Sequence, residues 1–191
     1  MNIVYSREWL SIANRALNLI GEESLQDFNG TSNATQDVLV QLPSAVQRVL
    51  SEYPYRSCRK RTSIAPLIDG PAFGYSFQYQ LPADFISLVE VNGAAAESND
   101  YSLEGGCILS NESSMNIIYE AFPETPQNLP AMLQELITLM LAHDLVSSVT
   151  TNDNKAVILY QQYEALKSQA IRMDDRGHHQ DNGKPWWTEE R

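Results

Sequence analysis

The chain has 191 residues, 43% of them hydrophobic, with 13 Lys and Arg against 24 Asp and Glu and a formal net charge of -11. That size suits one domain, or one domain with an inserted part, able to bury roughly 70% of its unfolded surface, and the apolar content excludes a disordered polyanion. No apolar run reaches the roughly 18 residues of a membrane span, and the N-terminal residues do not read as a signal peptide. Two cysteines make neither a disulfide framework nor a zinc knuckle, so a reducing compartment is expected. A pI near 4.6 argues against a protein that wraps nucleic acid for affinity.

The first helical period runs from Ser6 to Ile20, with Ser6 able to cap, Leu10, Ala13, Ala16, Leu17 and Ile20 on one face, and Gly21 as a left-handed stop. After the polar turn 27–32, a second helix is predicted from about Asn33 to Glu52, with Ala34, Val38, Leu39, Leu42, Val46, Val49 and Leu50 as its apolar positions. Pro43 interrupts it and predicts a kink, or two helices meeting at Gln41–Leu42. From Tyr53 the period becomes two. Strands are predicted over 57–68, 75–81, 85–91, 101–104, 107–110 and 115–121. Leu81-Pro82-Ala83-Asp84, Asn92-Gly93 and Gly105-Gly106 serve as turns. Five or six short strands then form a small antiparallel sheet or sandwich.

Helical spacing resumes with Leu129-Pro130, Pro at the first helical position, and a broad stripe of Leu133, Leu136, Ile137, Met140, Leu141, Leu145 and Val149. A last helix, 155–174, follows a cap at Asp153 or Asn154 and ends at Gly177; residues 176–191 form a polar tail containing Trp186-Trp187. Both helical ends carry apolar stripes that need a partner, and each is the obvious partner of the other. The expected fold is therefore α+β: a helical bundle made by the N- and C-terminal helices, with an inserted antiparallel β module and an extended C-terminal tail. The corresponding segments are 1–56, 57–124, 125–177 and 178–191.

The charge is unevenly distributed. Residues 1–61 sum to +1 and residues 155–191 to 0, whereas residues 62–154 contain twelve acids and no Lys or Arg. Such a block either keeps a domain dispersed or repels another polyanion. Arg56, Arg59, Lys60 and Arg61 form the dense basic cluster, readable as a strand edge guarded by charge or as a docking patch for an acidic neighbour such as another copy. Trp186 and Trp187, lying beyond the last helix, read either as anchors in a partner's pocket or as residues folded back on their own bundle.

Signs of chemistry are sparse. His143 has no second ligand one helical turn away, and His178-His179 with Asp181 reads as a solvated tail rather than a zinc site. There is no nucleophile elbow or phosphate loop, Gly105-Gly106 lacks the Lys and helix that would follow one, and the paired acids at Glu22-Glu23, Asp174-Asp175 and Glu189-Glu190 lie at helix ends or in loops. No enzyme, cofactor or metal is expected.

Several segments, taken in order, carry a resemblance over residues 12–176. They are Ala16-Leu17-Asn18-Leu19-Ile20-Gly21-Glu22 with Ser24-Leu25, Val49-Leu50 through Tyr53-Pro54-Tyr55, and Arg59-Lys60-Arg61 with Ala65 and Leu67. Then come Tyr79-Gln80-Leu81-Pro82-Ala83-Asp84, Leu103-Glu104-Gly105-Gly106-Cys107-Ile108-Leu109, Ile118-Tyr119, and Leu159 with the segment from Tyr163 to Ala170. The set resembles the tail tubular protein A family, the head-to-tail adaptors of short-tailed bacteriophages. Tyr55 stands where that family tends to have Trp, and Pro43 falls in a helix usually uninterrupted.

The resemblance implies a structural virion protein of the tail neck, made in the host cytoplasm, with no catalytic residues and no membrane. It implies a homo-oligomeric ring of about twelve copies, seated under the portal protein and receiving a tail nozzle of the tail tubular protein B type, with genome DNA passing through. On this reading Trp186, Trp187, Arg56, Arg59, Lys60 and Arg61 are candidates for portal or neighbour docking. Glu97, Asp100 and Glu104 are candidates for acids facing the channel, where a wall that does not bind phosphate keeps DNA contacts transient. The alternative is a soluble intracellular protein-interaction module with no virion role; a third reading, an enzyme using acids of the β module, has no constellation behind it.

Overall fold

The computed structural model describes residues 5–98, 100–149 and 153–176. Helix α1 (Arg7–Ile20) buries Trp9, Ile12, Ala13, Ala16, Leu17 and Ile20, positions three and four apart on one face. Ser6 stands at its N-cap, but the hydroxyl makes no bond to the helix backbone. At the other end Gly21 adopts φ 89°, and the N–H groups of Gly21 and Glu22 donate to the carbonyls of Asn18 and Leu17.

Helix α2 (Asn33–Glu52) starts where the Ser32 hydroxyl accepts the Thr35 N–H at 3.1 Å, and it runs as one element with Pro43 inside it. The expected break at Gln41–Leu42 is thus absent. Proline withdraws the donor that the carbonyl four residues earlier, on Leu39, would receive. Here the Tyr5 hydroxyl donates to Leu39 O at 3.0 Å and supplies the missing bond. Replacing Pro43 by Ala is expected to return the backbone donor and raise stability by about 1 to 2 kcal/mol, less than the full proline penalty because the unfolded chain gains freedom. Tyr5→Phe should then lower the urea midpoint in the parent chain and leave it unchanged in the P43A background.

Helix α3 (Ala131–Val149) is the centre of the helical part. It packs against α1, α2 and α4 (Asp153–Arg176) and buries Leu133, Leu136, Ile137, Leu139, Met140, Leu141, Ala142, Leu145 and Val146. An element covered on so many sides is apolar nearly all round, which is why the predicted stripe looked broad. Pro130 precedes α3, its carbonyl accepting the N–H groups of Leu133 and Gln134, so the helix begins one residue after its predicted first position.

The middle of the chain forms two antiparallel sheets. A four-stranded sheet has the order β1 (Arg59–Ile64), β7 (Met115–Ala121), β3 (Phe85–Val91), β4 (Ala94–Ala95); a three-stranded sheet has the order β2 (Phe77–Gln80), β6 (Cys107–Ser110), β5 (Tyr101–Glu104). The chain is α+β, with four helices and two small sheets among the described residues. Both predicted glycine turns are tight hairpins with positive φ at both central residues, Asn92 50° and Gly93 83°, Gly105 56° and Gly106 79°. The predicted strand over 57–68 is shorter, because Arg56–Cys58 forms a 3-10 turn and residues beyond Ile64 leave the sheet.

Two cores result. One joins α1 to α4 and takes in Tyr55, Cys58, Phe122 and Leu129; the other lies between the sheets around Tyr79, Val91, Ile108, Met115, Ile117 and Tyr119. The Leu-Pro-Ala-Asp turn links them. Phe85 N–H returns to Pro82 O, Asp84 O accepts from Phe122 N–H, and the Asp84 carboxylate accepts from Lys60 Nζ at 2.6 Å and Tyr119 Oη at 3.0 Å. Burial alone would raise this carboxyl, but the Lys60 and Tyr119 bonds outweigh it and hold the pKa below the ordinary value.

Candidate functional site

Residues of the basic cluster have different local partners. Arg56 lies near Asp174 on α4, whose carboxylate oxygens accept the Arg56 backbone N–H at 3.1 and 3.2 Å. Arg59 turns its guanidinium onto Pro54 O at 3.2 and 2.8 Å, and Lys60 is tied to Asp84. Arg61 is exposed on β1, an edge strand of its sheet. Charge on an edge discourages another strand from pairing there.

The acidic block divides into two kinds of carboxylate. Glu135 pairs with Arg15 at 3.4 Å, Asp144 with Arg48 at 2.8 Å, and Asp84 with Lys60 at 2.6 Å. Cations of the first segment therefore meet acids of the Lys- and Arg-free segment inside one chain, a complementarity the segment totals hide. Asp69, Glu97, Asp100, Glu104, Glu112 and Glu124 are exposed. Of the three candidate channel acids, Glu97 sits in a 3-10 turn, Asp100 receives a long hydrogen bond from Tyr75 Oη at 3.5 Å, and Glu104 accepts from Ser102 Oγ at 2.6 Å at the β5–β6 hairpin.

Sequence reasoning passed over Glu120. On β7 it lies between Arg59 of β1 and Ser87 of β3 in the strand register, fully buried. Its two oxygens accept from Tyr55 N–H at 3.2 Å and Ser87 Oγ at 3.1 Å. Burial pushes this carboxyl up to about 7, against the two hydrogen bonds, which favour the charged form. Cys58, next to it in the same junction, is also buried and its thiol is pushed up to about 12, the mark of an inert rather than a reactive cysteine. Glu120 and Asp174 together hold the N–H groups of Tyr55 and Arg56, fixing the turn from α2 into β1. The arrangement anchors a connection. Among the described residues, no group of three or more His, Cys, Asp or Glu has metal-site geometry.

Two surface features also escaped the sequence reading. The β1–β2 loop presents Ile68 fully exposed and Phe73 at 88% exposure, and a groove of about 460 Å³ lies between the start of α3 and the end of α4. The signal for the first was in the sequence: Ile68-Asp69-Gly70-Pro71 is turn chemistry, so apolar residues around it belong to a loop and not to a buried strand. Trp186, Trp187, His178 and His179 lie outside the described residues.

No protein-family model matches the chain, and no curated protein matches it either.

Proposed function

We propose that this chain is a subunit of a head-to-tail adaptor ring, joining the portal of a short-tailed phage to its tail nozzle and surrounding the DNA exit channel. The role is structural and has no catalytic step. The observation that carries the reading is the insertion of a double-sheet module, without Lys or Arg beyond Arg61, between two helical halves that share one core. Such a subunit offers a helical bundle for the portal side and a separate β surface for the nozzle side. Glu97, Asp100 and Glu104 on that surface suit a channel wall, since carboxylates do not release counterions from DNA and so do not grip it. The described helices include none long and apolar enough to cross a membrane.

Trp186 and Trp187 are proposed as the portal anchor, two aromatics in a hydrophilic terminus. The full chain is expected to co-sediment with portal particles at a fixed stoichiometry, while a chain lacking residues 178–191 stays in the supernatant with an unchanged melting temperature. Equal binding of both would remove the anchor role, and no binding of either would overturn the adaptor reading. The exposed Ile68 and Phe73 also suit a soluble protein-interaction module; that reading gains if neither chain sediments with the portal.

A further inference from the structure

Four strands stand at sheet edges, β1 and β4 in one sheet and β2 and β5 in the other. β4 has two residues, and the outer edge of β2 is taken by the chain leaving β1, where Pro66 bridges to Tyr79 and Leu67 N–H donates to Gln78 O at 2.7 Å. That leaves β1 and β5 as the open edges. They lie on opposite sides of the β module, because β1 leads onto β2 whereas β5 ends its sheet beyond β6. One chain cannot bring its own two edges together.

The strand register fixes which main-chain groups these edges offer. Glu104 and Cys107 close the two-residue Gly105-Gly106 turn and bond each other, so Ser102 bonds Leu109 and the N–H and C=O groups of Tyr101 and Leu103 point away from β6. On β7, Asn116 O and Phe122 N–H are bonded on the β3 side. The alternation turns Ile117 and Tyr119 toward Thr62 and Lys60, leaving the main chain of Arg61 and Ser63 to point outward from β1. The two edges differ in charge. Tyr101 and Ile64 pack on the core between the sheets, so Asp100 and Glu104 beside β5, and Arg61 on β1, belong to the outer faces, where all three are exposed. The hydroxyls on Asp100 and Glu104, from Tyr75 and Ser102, are neutral donors, so both carboxylates keep their charge. Among the described residues no carboxylate pairs with Arg61.

We propose that the β5 edge of one copy pairs in parallel with the β1 edge of a second copy, placing Arg61 of the second copy opposite Ser102 and between Asp100 and Glu104. In that register Arg61 N–H donates to Tyr101 O, Arg61 O accepts from Leu103 N–H, and Ser63 N–H donates to Leu103 O, the evenly spaced ladder of a parallel pair. Diagonal neighbours on adjacent strands are about 7 to 8 Å apart, within reach of a long cation. Antiparallel pairing would instead turn Arg61 to the face away from both acids. Each edge also rejects its own kind: β5 against β5 sets Glu104 against Asp100, and β1 against β1 crowds Arg59, Lys60 and Arg61 of both copies. A contact between two different edges repeats head to tail. It rests on the adaptor reading only for closure into a ring, and Asp100 and Glu104 remain on the outer face that this reading turns to the channel.

The test uses full-length chains in sedimentation velocity at low salt, where charge pairing is least screened. The parent chain is expected to self-associate. Arg61→Glu, and separately Asp100→Lys combined with Glu104→Lys, should each weaken that association about tenfold while the exposed sites leave the fold intact. An equimolar mixture of the Arg61→Glu chain and the doubly substituted chain should associate again, since every joint then brings opposite charges together. Leu103→Pro removes an outward N–H without touching the bonds to β6, and should weaken association while a cooperative melt is retained. A parent that stays single, or a mixture no stronger than its separate components, would overturn the proposal. Annuli formed on portals by the Arg61→Glu chain alone would sink this contact and leave the adaptor reading standing; charge-dependent association with the portals left bare would do the reverse.

Discussion

Replacing Trp9 by Ala is expected to cost about 4 kcal/mol and to lower Tm by roughly 12 °C for a chain of this length. Trp9 is completely buried in the helical core, and its Nε1–H donates to Glu124 O at 3.0 Å, tying α1 to the segment between β7 and α3. The substitution removes the largest side chain of that core and leaves a cavity that its neighbours fill only in part. It also leaves the Glu124 carbonyl without its donor. Trp9→Phe keeps most of the volume and loses the hydrogen bond, so it should cost about 1 to 2 kcal/mol. Thermal unfolding of both variants checks the ranking; equal effects would show that the hydrogen bond and not the packing dominates.

Glu120 governs the second large effect, which appears as a pH dependence. Its carboxyl is raised from the ordinary 4.5 to about 7 by burial. Below the lower value it is protonated in both folded and unfolded chains. As the pH rises, the unfolded chain ionises first, so stability is lost between about pH 4.5 and pH 7, by about 3 kcal/mol in all. Asp84, held below its ordinary value, contributes in the opposite sense and loses its stabilisation as the pH falls. Glu120→Gln keeps an acceptor for Tyr55 N–H, and the Ser87 hydroxyl can turn to accept from the amide. The variant should match the parent near pH 4.5 and exceed it by about 2 to 3 kcal/mol at pH 8. Parallel pH profiles for the two chains would contradict the burial argument. Glu120→Ala, by contrast, strands both donors and is expected to be destabilising at every pH.

The elements most legible in the sequence are those punctuated by local chemistry. β3, β5, β6 and β7 begin and end where Pro82, Asn92-Gly93, Gly105-Gly106 and the polar run before Met115 predict, because those residues fix the turns without outside help. What the sequence hid was long-range. Pro43 fails to break α2 because a hydroxyl 38 positions earlier, on Tyr5, serves the Leu39 carbonyl. The start of β1 is delayed because Glu120 and Asp174 hold the backbone of Tyr55 and Arg56 in a tight turn. Glu120 reads as a solvent-facing position of an alternating strand, yet β7 is flanked on both edges and every residue from Ile117 to Ala121 is buried, so the polar position there is buried too. The charge totals mislead in the same way: Arg15, Arg48 and Lys60 are near neutral balance in their own segment and are matched to acids far along the chain.

The adaptor reading is tested most directly by single-particle imaging of the purified full-length chain mixed with portal particles. The expected result is an annulus of about a dozen copies on one face of each portal, closed by a head-to-tail contact repeated around the axis. Portals that remain bare while the chain stays as single copies, at concentrations well above those of the portal, would contradict it.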